Sequence, residues 1–255
     1  MSTAPLPPAV ELRGLVKRYD DFTAVNNLDL SVAPKELFGL LGPNGAGKTT
    51  TLMMLAGLLQ PTAGQACIFG VDVQRDPEKA KSVMAFIPDR PFVYEKLTGR
   101  ELLGFVDELY KGPASSRNSR ASMLLSRFGL TNFADELVEA YSHGMKQRLV
   151  FACALIHQPR LLVVDEPMVG LDPQGARLIK TVFKEICAGG GTVLMSTHTL
   201  QVAEELCDSI AIIDHGQIIS MGSMAQLRAT VAAGNASLED IFLGLTSSSE
   251  VDSLA

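Results

Sequence analysis

Apolar and polar residues alternate along two segments near the beginning of the chain. The segments are VELRGLVKRY at 10–19 and NLDLSV at 27–32. A period of two places apolar side chains on one face of a strand and polar side chains on the other. Burial of one face only is typical of antiparallel sheets. The pattern therefore predicts a small antiparallel β unit in this part of the chain.

Several later segments are short and almost entirely apolar. They are LFGLLG at 37–42, RLLVVDEP at 160–167, GTVLMSTH at 191–198 and SIAIIDHGQII at 209–219. Such runs are typical of strands that are buried on both faces, and a turn within the last run predicts two strands there. Helical spacing occurs between these runs, at 48–59 before Pro61, at about 174–187 and at about 200–207. Strands that alternate with helices predict an α/β fold with a parallel sheet.

Between Pro88 and about Pro159 the pattern changes to helices. The first predicted helix, at 98–110, begins with Thr98 and has a glutamate three residues later, which matches a capping box. A polar loop is predicted at 111–120, a second helix at 121–130, and a third helix at 142–159 that begins with Ser142 as its N-cap and stops at Pro159. We therefore predict an inserted α-helical subdomain.

The predicted organisation is a single domain over residues 1–245. Its parts are a core with the β subdomain at 1–87 and 160–220, the helical subdomain at 88–159, a C-terminal extension at 221–245, and a polar tail at 246–255 outside the domain. The chain has 255 residues, of which 47% are hydrophobic, which is enough for a sizeable core.

Charge and composition narrow the classes of function. The formal net charge of −6 disfavours a nucleic-acid interface, which requires a basic surface. The four cysteines are far apart and form no Cys-x-x-Cys pair, which favours a reducing compartment over a zinc site. We expect no signal peptide and no membrane span, because no apolar run approaches the about 18 residues that a span needs.

A glycine-rich segment, GPNGAGKT, lies between a predicted buried strand and a predicted helix and matches the P-loop pattern G-x-x-x-x-G-K-[ST]. Glycines let backbone N–H groups approach a phosphate chain, and the helix N-terminus adds positive potential. Lys48 is expected to reach the β- and γ-phosphates, and the Thr49 hydroxyl to bind Mg²⁺. The predicted nucleotide-binding residues here are Gly42, Pro43, Asn44, Gly45, Ala46, Gly47, Lys48, Thr49 and Thr50.

Acidic and histidine side chains follow two of the predicted buried strands. Asp165 and Glu166 end the strand LLVVD, and His198 follows TVLMST. Ligands in open α/β sheets bind beyond the carboxyl ends of the strands. Because neighbouring strand residues face opposite ways, we expect the two acids to have different roles. Asp165 is the better candidate for Mg²⁺, and Glu166 is a candidate general base that activates water. His198 is a candidate to contact the γ-phosphate or the attacking water.

Together these motifs resemble the nucleotide-binding subunit of ABC transporters, over about residues 10–245. The glycine-rich segment matches Walker A, and Leu161–Glu166 matches Walker B. YSHGMKQRL at 141–149 resembles the family signature, VGLDP with Asp172 resembles the D-loop, and His198 matches the switch histidine. Tyr19 matches the aromatic residue that stacks on adenine, with Val25 beside it in the same binding region.

The resemblance implies a P-loop ATPase that uses ATP and Mg²⁺. It also implies a head-to-tail dimer in which Ser142, Gly144, Met145 and Asp172 contact the nucleotide of a second ATP-binding subunit, identical or different. ATP-dependent dimerisation would drive separate membrane-spanning permease subunits, with export as the favoured direction and a peripheral position on the cytoplasmic face of the membrane. The alternatives are a soluble ABC-type ATPase that is not coupled to transport and, with less support from the motifs, a small-molecule P-loop kinase.

The chain departs from the family pattern at three positions. His143 and Met145 stand where the signature often has glycine and glutamine, and both substitutions are compatible with the donors expected from Ser142 and the backbone of Gly144. Asp89 stands in place of the Q-loop glutamine. Two roles are open for Asp89, as a contact to the metal or its water and as a hinge to the helical subdomain.

Overall fold

The computed structural model describes residues 7–230, 238–240 and 242. The strands are β1 Val10–Tyr19, β2 Phe22–Val32, β3 Leu37–Leu41, β4 Ala63–Ile68, β5 Val71–Asp72, β6 Met84–Ile87, β7 Leu161–Asp165, β8 Thr192–Thr197, β9 Ser209–Asp214 and β10 Gln217–Ser223. The α-helices are α1 Lys48–Leu55, α2 Pro77–Ser82, α3 Gly99–Leu109, α4 Arg117–Arg127, α5 His143–Leu155, α6 Pro173–Ala188, α7 Leu200–Leu206 and α8 Met224–Thr230.

The central sheet contains six strands in the order β10-β9-β3-β8-β7-β6. All neighbouring strands are parallel except β10, which forms an antiparallel hairpin with β9. Strands β3, β7 and β8 are buried along their whole length, because packed elements cover both faces of the sheet. The predicted parallel sheet and the two strands within 209–219 are therefore confirmed.

The two faces of the central sheet belong to two separate hydrophobic clusters. Successive residues of β3 alternate between them, with Leu37 and Leu41 in one cluster and Phe38 and Leu40 in the other. This alternation follows from the period of two in a strand. The first cluster includes residues of α3, α4 and α5, and the second includes α1 and the inner face of the second sheet.

The second sheet is antiparallel and has the strand order β2-β1-β4-β5. It confirms the β unit predicted from the alternation at 10–32. Strands β4, β5 and β6 were not predicted from the sequence. Strand β4 begins in the glycine-containing AGQ segment, and β5 has only two residues. Strand β6, MAFI, is too short to show a period.

The capping box predicted at the start of α3 is present. The Thr98 backbone N–H donates to Glu101 Oε2 at 2.8 Å, and the Glu101 N–H donates to Thr98 Oγ1 at 3.2 Å. The predicted polar loop at 111–120 is wrong in its second half, because α4 begins at Arg117. There Arg117 and Arg120 pair with the buried carboxylate of Asp107, which fixes the first turn of the helix.

Helices α1 and α5 end earlier than predicted. Helix α1 ends at Leu55, and Gly57 then adopts a positive φ of 64°, which a helix cannot continue. Helix α5 ends at Leu155, and Gln158, with a φ of 54°, turns the chain before Pro159.

The predicted polar tail at 246–255 lies outside the described residues, as does part of the predicted extension at 221–245. Within the part of the chain that the structure describes, no helix is long and apolar enough to span a membrane.

Candidate nucleotide-binding site

The glycine-rich loop joins the end of β3 to the beginning of α1 and needs glycine at Gly45 and Gly47. Gly45 has a φ of 84° and Gly47 a φ of 102°, in the left-handed region that side chains disfavour. A Cβ on Gly47 would also lie 2.5 Å from the Ala24 carbonyl oxygen. Gly47 caps α1 without any side-chain hydrogen bond, so no side chain competes for the first amides of the helix. The amides of the loop and of the first turn of the helix are thus available to an anion.

The Lys48 side chain is buried under this loop and is 6% exposed. Its Nζ donates to the carbonyl oxygens of Gly42 at 2.7 Å and Pro43 at 3.0 Å, and it lies 3.7 Å from Glu166 Oε1. Burial lowers the pKa of Lys48, and the neighbouring carboxylates of Glu166 and Asp165 oppose that shift. The ammonium group is therefore held by the loop and by negative charge at the point where phosphate is expected.

Asp165 ends β7 and lies next to the first turn of α1. Its carboxylate is buried, with 2% exposure of the residue, and Oδ2 accepts a hydrogen bond from Thr49 Oγ1 at 2.7 Å. The hydroxyl of Ser196 donates to Oδ1. Asp165 and Thr49, both predicted as metal ligands, are thus in direct contact. Ser196 was not predicted, because only the pairing of β7 with β8 places it beside Asp165.

Glu166 follows β7 with a positive φ of 50°. Its backbone N–H donates to Ser196 Oγ at 3.1 Å, and its Oε1 lies 2.9 Å from His198 Nδ1. The side chain of His198 is 46% exposed, whereas that of Glu166 is only 13% exposed. The glutamate is therefore held between a buried lysine and a half-exposed histidine at the carboxyl ends of two adjacent strands.

An open pocket lies over these groups. Its lining residues are Tyr19, Phe22, Ala24, Asn44, Gly45, Gly47, Lys48, Thr49, Thr50, Asp89 and Glu166. Tyr19 and Asp89, which are far from the loop in sequence, are thus brought to it. Phe22 was not predicted, although it is exposed and forms the turn-side end of β2 beside Tyr19. Val25 is fully buried and does not line this pocket, while Pro43 and Ala46 line a neighbouring hollow.

Comparison with known proteins identifies the family of this chain. The family model described as ABC transporter matches residues 25–169, which is more than half of the chain. The chain belongs to the ABC transporter family. Because the match covers the P-loop, Asp165 and Glu166, the predicted ATP-binding and ATP-hydrolysing subunit is confirmed.

Relatives and solved structures agree with this assignment. The daunorubicin/doxorubicin resistance ATP-binding protein DrrA of Streptomyces peucetius is 39% identical over 233 residues, which cover 91% of this chain and 70% of DrrA. The fluoroquinolones export ATP-binding protein MT2762 of Mycobacterium tuberculosis (strain CDC 1551 / Oshkosh) is 39% identical over 222 residues, with coverage of 86% and 72%. A solved structure described as the ATP binding subunit of an ABC transporter superposes with a TM-score of 0.88 and 32% identity, and covers 93% of this chain and 99% of its own.

In this ABC subunit the signature residues do not line the pocket that contains the P-loop. Ser142 is exposed and caps α5, and its Oγ accepts the Met145 backbone N–H at a long 3.3 Å. An added Cβ at Gly144 would meet nothing within 4 Å, so there is open space beside the partly exposed backbone at this position. Asp172 caps α6 by accepting the Gly175 N–H at 2.7 Å. Within one chain, the predicted ATP-contacting residues thus form two sets: most of the P-loop residues line the pocket, and the signature residues and Asp172 do not.

Proposed function

We propose that this chain is the ATPase subunit of an exporter and drives a separate permease together with a second ATP-binding subunit. Export is supported by the names of its relatives, which describe drug resistance and fluoroquinolone export. The transport names of these relatives disfavour the alternative of a soluble ABC-type ATPase that is not coupled to transport. The identity of the cargo follows from the permease, not from this chain.

The observation that carries the catalytic part of the proposal is the convergence of three strand ends on one loop. The P-loop after β3 contacts the carboxylates at the end of β7 through the Lys48–Glu166 and Thr49–Asp165 pairs, and Glu166 in turn contacts His198 after β8. Such convergence at the carboxyl ends of parallel strands is where α/β proteins bind ligands. In a P-loop ATPase it places charge-stabilising groups around the transferred phosphate.

Within this arrangement the loop amides and Lys48 bind the phosphates of ATP. Lys48 leaves its contact with Glu166 and places its charge against the β- and γ-phosphate oxygens. Tyr19, at the mouth of the same pocket, stacks on the adenine ring through a face that is partly exposed to solvent. Phe22 lines the same side of the pocket and extends this apolar surface.

The polar groups beside the P-loop fit a magnesium ion. Mg²⁺ prefers oxygen ligands and is usually bound by one or two carboxylates, substrate phosphates and water. Thr49 and Asp165 supply a hydroxyl and a carboxylate that already touch each other at 2.7 Å. Phosphate oxygens and water would take the remaining positions around the ion. When bound, the ion neutralises charge that develops on the phosphates.

Glu166 is the general base of hydrolysis in this proposal. Its carboxylate accepts a proton from the attacking water as the oxygen of that water bonds to the γ-phosphorus and the bond to the ADP oxygen breaks. His198, at 2.9 Å from Oε1, orients the carboxylate and contacts the γ-phosphate. Asp89 lies at the edge of the same pocket, where either of its two predicted roles is compatible with its position.

A second subunit completes the site. Ser142, Gly144 and Met145 offer an exposed hydroxyl and the first-turn amides of α5, which suit an anion held by another chain. Asp172 is the N-cap of α6 and contributes to the same interface in this proposal. Two such chains, or this chain and a related one, sandwich two ATP molecules head to tail.

An exposed aromatic patch, formed by Phe92, Tyr94 and Phe105, is the proposed contact with the permease. The rings of Phe92 and Tyr94 and those of Tyr94 and Phe105 meet edge to face at centroid distances of 5.6 Å, and Phe92 is 83% exposed. A connected apolar surface of this kind marks an interaction site. Phe92 lies three residues after Asp89 in the chain, so we propose that movement at the nucleotide reaches the permease through this segment. The subunit would then lie peripherally on the cytoplasmic face of the membrane.

The substitution Glu166→Gln tests the proposal. The amide keeps the shape of the side chain but cannot accept the proton, so turnover should fall by about 10²–10⁴-fold while ATP binding persists. An ATP-bound dimer should accumulate with Mg-ATP but not with Mg-ADP, as measured by size-exclusion chromatography on the sample used for turnover. Glu205→Gln, an exposed glutamate paired with Lys180, is the matched control and should leave both properties unchanged.

Near-normal turnover of Glu166→Gln would remove Glu166 from catalysis. If turnover is lost but no ATP-dependent dimer forms, Glu166 keeps its role as general base. A sandwich of two identical chains would then be contradicted, and the second subunit would have to be a different chain. Co-purification of the wild-type chain with a multi-span protein from membranes separates the transporter from the soluble alternative, because a soluble ATPase would be recovered without one.

A further inference from the structure

We propose that Ser196 is a positioning residue for ATP hydrolysis, which holds the Asp165 carboxylate and the Glu166 backbone in one arrangement. The inference rests on the proposed roles of Asp165 and Glu166. Ser196 matches none of the motifs by which the family was recognised in the sequence. Its importance follows from its place in the sheet and from its two hydrogen bonds.

Strand pairing places Ser196 beside the carboxylate. In the parallel pairing of β7 with β8, Asp165 is opposite Ser196, and Ser196 is fully buried. The Ser196 hydroxyl donates to Asp165 Oδ1, and the Thr49 hydroxyl donates to Oδ2 at 2.7 Å. Each carboxylate oxygen therefore has its own hydroxyl donor, which opposes rotation of the carboxylate. When Thr49 turns its hydroxyl oxygen toward a metal, Ser196 still holds the other oxygen.

The same hydroxyl also fixes the residue that follows. Glu166 has a positive φ of 50°, which is uncommon for a residue with a side chain. Its N–H donates to Ser196 Oγ at 3.1 Å, and this bond satisfies an amide that the turn removes from the sheet. Since Ser196 donates to Asp165 and accepts from Glu166, loss of one oxygen atom releases both the proposed metal ligand and the proposed base.

Other hydroxyls of β8 provide a matched control. The buried Thr192, in the same strand, accepts the Lys35 backbone N–H at 2.9 Å, at the end of β8 remote from Asp165. Thr192→Val removes a buried hydroxyl from this strand without touching the nucleotide site. A general effect of hydroxyl loss on the strand would therefore appear in both variants, whereas positioning would appear only at Ser196.

The test compares Ser196→Ala, Ser196→Thr and Thr192→Val with the wild-type chain. Binding of a fluorescent ATP analogue is titrated with Mg²⁺ and repeated in EDTA, and kcat and KM are measured separately. Residues that orient a metal ligand typically change metal affinity or activity by about 10–100-fold when removed. Ser196→Ala should therefore raise the half-saturating Mg²⁺ concentration and lower kcat by about tenfold or more, with binding in EDTA unchanged. Ser196→Thr should restore both properties, and Thr192→Val should match the wild type.

Wild-type Mg²⁺ dependence and kcat in folded Ser196→Ala would overturn the inference. If the alanine variant does not fold, Ser196→Cys keeps the shape with a weak hydrogen-bonding group and should show the same loss, and wild-type behaviour of the cysteine variant would be equally decisive. Asp165→Asn separates this inference from the proposed function. If Asp165→Asn abolishes Mg²⁺ dependence and Ser196→Ala does not, only the inference fails, whereas Mg²⁺ dependence retained by Asp165→Asn would remove Asp165 from the metal site.

Discussion

The P-loop region and the signature region both present a helix N-terminus, but they differ in how their polar groups are satisfied. Around the P-loop, Lys48 and Asp165 are buried and bonded to groups of the same chain. At the signature, Ser142 is exposed and makes one long bond to the first turn of its own helix. The first region is organised within one chain, and the second offers donors outward.

The difference has a physical cause. A buried charge or hydroxyl must find a partner, so the residues around the P-loop hold one another in position before any ligand binds. An exposed helix N-terminus can leave its amides to water and exchange that water for an anion. One chain therefore has a preformed P-loop region and a separate, exposed helix N-terminus, and we propose that the two act on different nucleotides.

The largest effect is expected from removing the positive charge of Lys48 in the P-loop region. Lys48→Ala should abolish measurable turnover and weaken ATP binding, because Lys48 is the cation held against the expected phosphates and a P-loop ATPase depends on such stabilisation. ATPase turnover and equilibrium binding of a fluorescent ATP analogue, measured in parallel, check this expectation. Lys180→Ala, which removes a half-buried lysine that pairs with Glu205 away from the nucleotide pocket, is the control. Wild-type turnover in folded Lys48→Ala would contradict the site.

The smallest effect is expected at Asp89, which lines the nucleotide pocket. Asp89→Gln restores the glutamine that the family usually has, and Asp89 is exposed at the rim of the pocket with only a 3.9 Å ion pair to Arg90. ATP affinity should stay near that of the wild type, while the Mg²⁺ dependence or the stimulation by the permease shifts. A loss of ATP affinity of more than tenfold, about 1.4 kcal/mol, would place Asp89 in the binding site proper.

Much of the P-loop region could be predicted from the sequence because its constraints are local. The glycine spacing, the helix that follows and the apolar strand before Asp165 are contiguous patterns, and the rule for strand ends places Asp165 and Glu166 near the loop. The capping box of α3 is local in the same sense. The family assignment confirms the function expected from these motifs.

The missed features depend on contacts between distant segments. Ser196 meets Asp165 across 31 positions of sequence through a strand register that no local pattern contains. The start of α4 depends on pairing of two arginines with the buried Asp107, in a segment whose composition is that of a loop. Val25, which was predicted at the nucleotide from resemblance alone, is fully buried in the cluster between the sheets, and its contact with the nucleotide stays a prediction.

In our account the signature of one chain acts on the nucleotide of another. The most direct measurement mixes Ser142→Arg chains with Lys48→Ala chains and follows ATPase activity against the mixing ratio and the total concentration. Ser119→Arg, a change at an exposed position of α4, replaces Ser142→Arg in the control mixture. In a mixed dimer of the two test variants, one site carries both substitutions and the other site carries neither.

Our account predicts that each variant alone is inactive and that the mixture recovers turnover through the intact site, with a maximum near equal amounts and a loss on dilution. In the control mixture, activity should come only from Ser119→Arg homodimers and from the one intact site of each dimer of Ser119→Arg with Lys48→Ala. Full activity of dilute Ser142→Arg chains, independent of concentration, would contradict the shared site and return both halves of catalysis to a single chain.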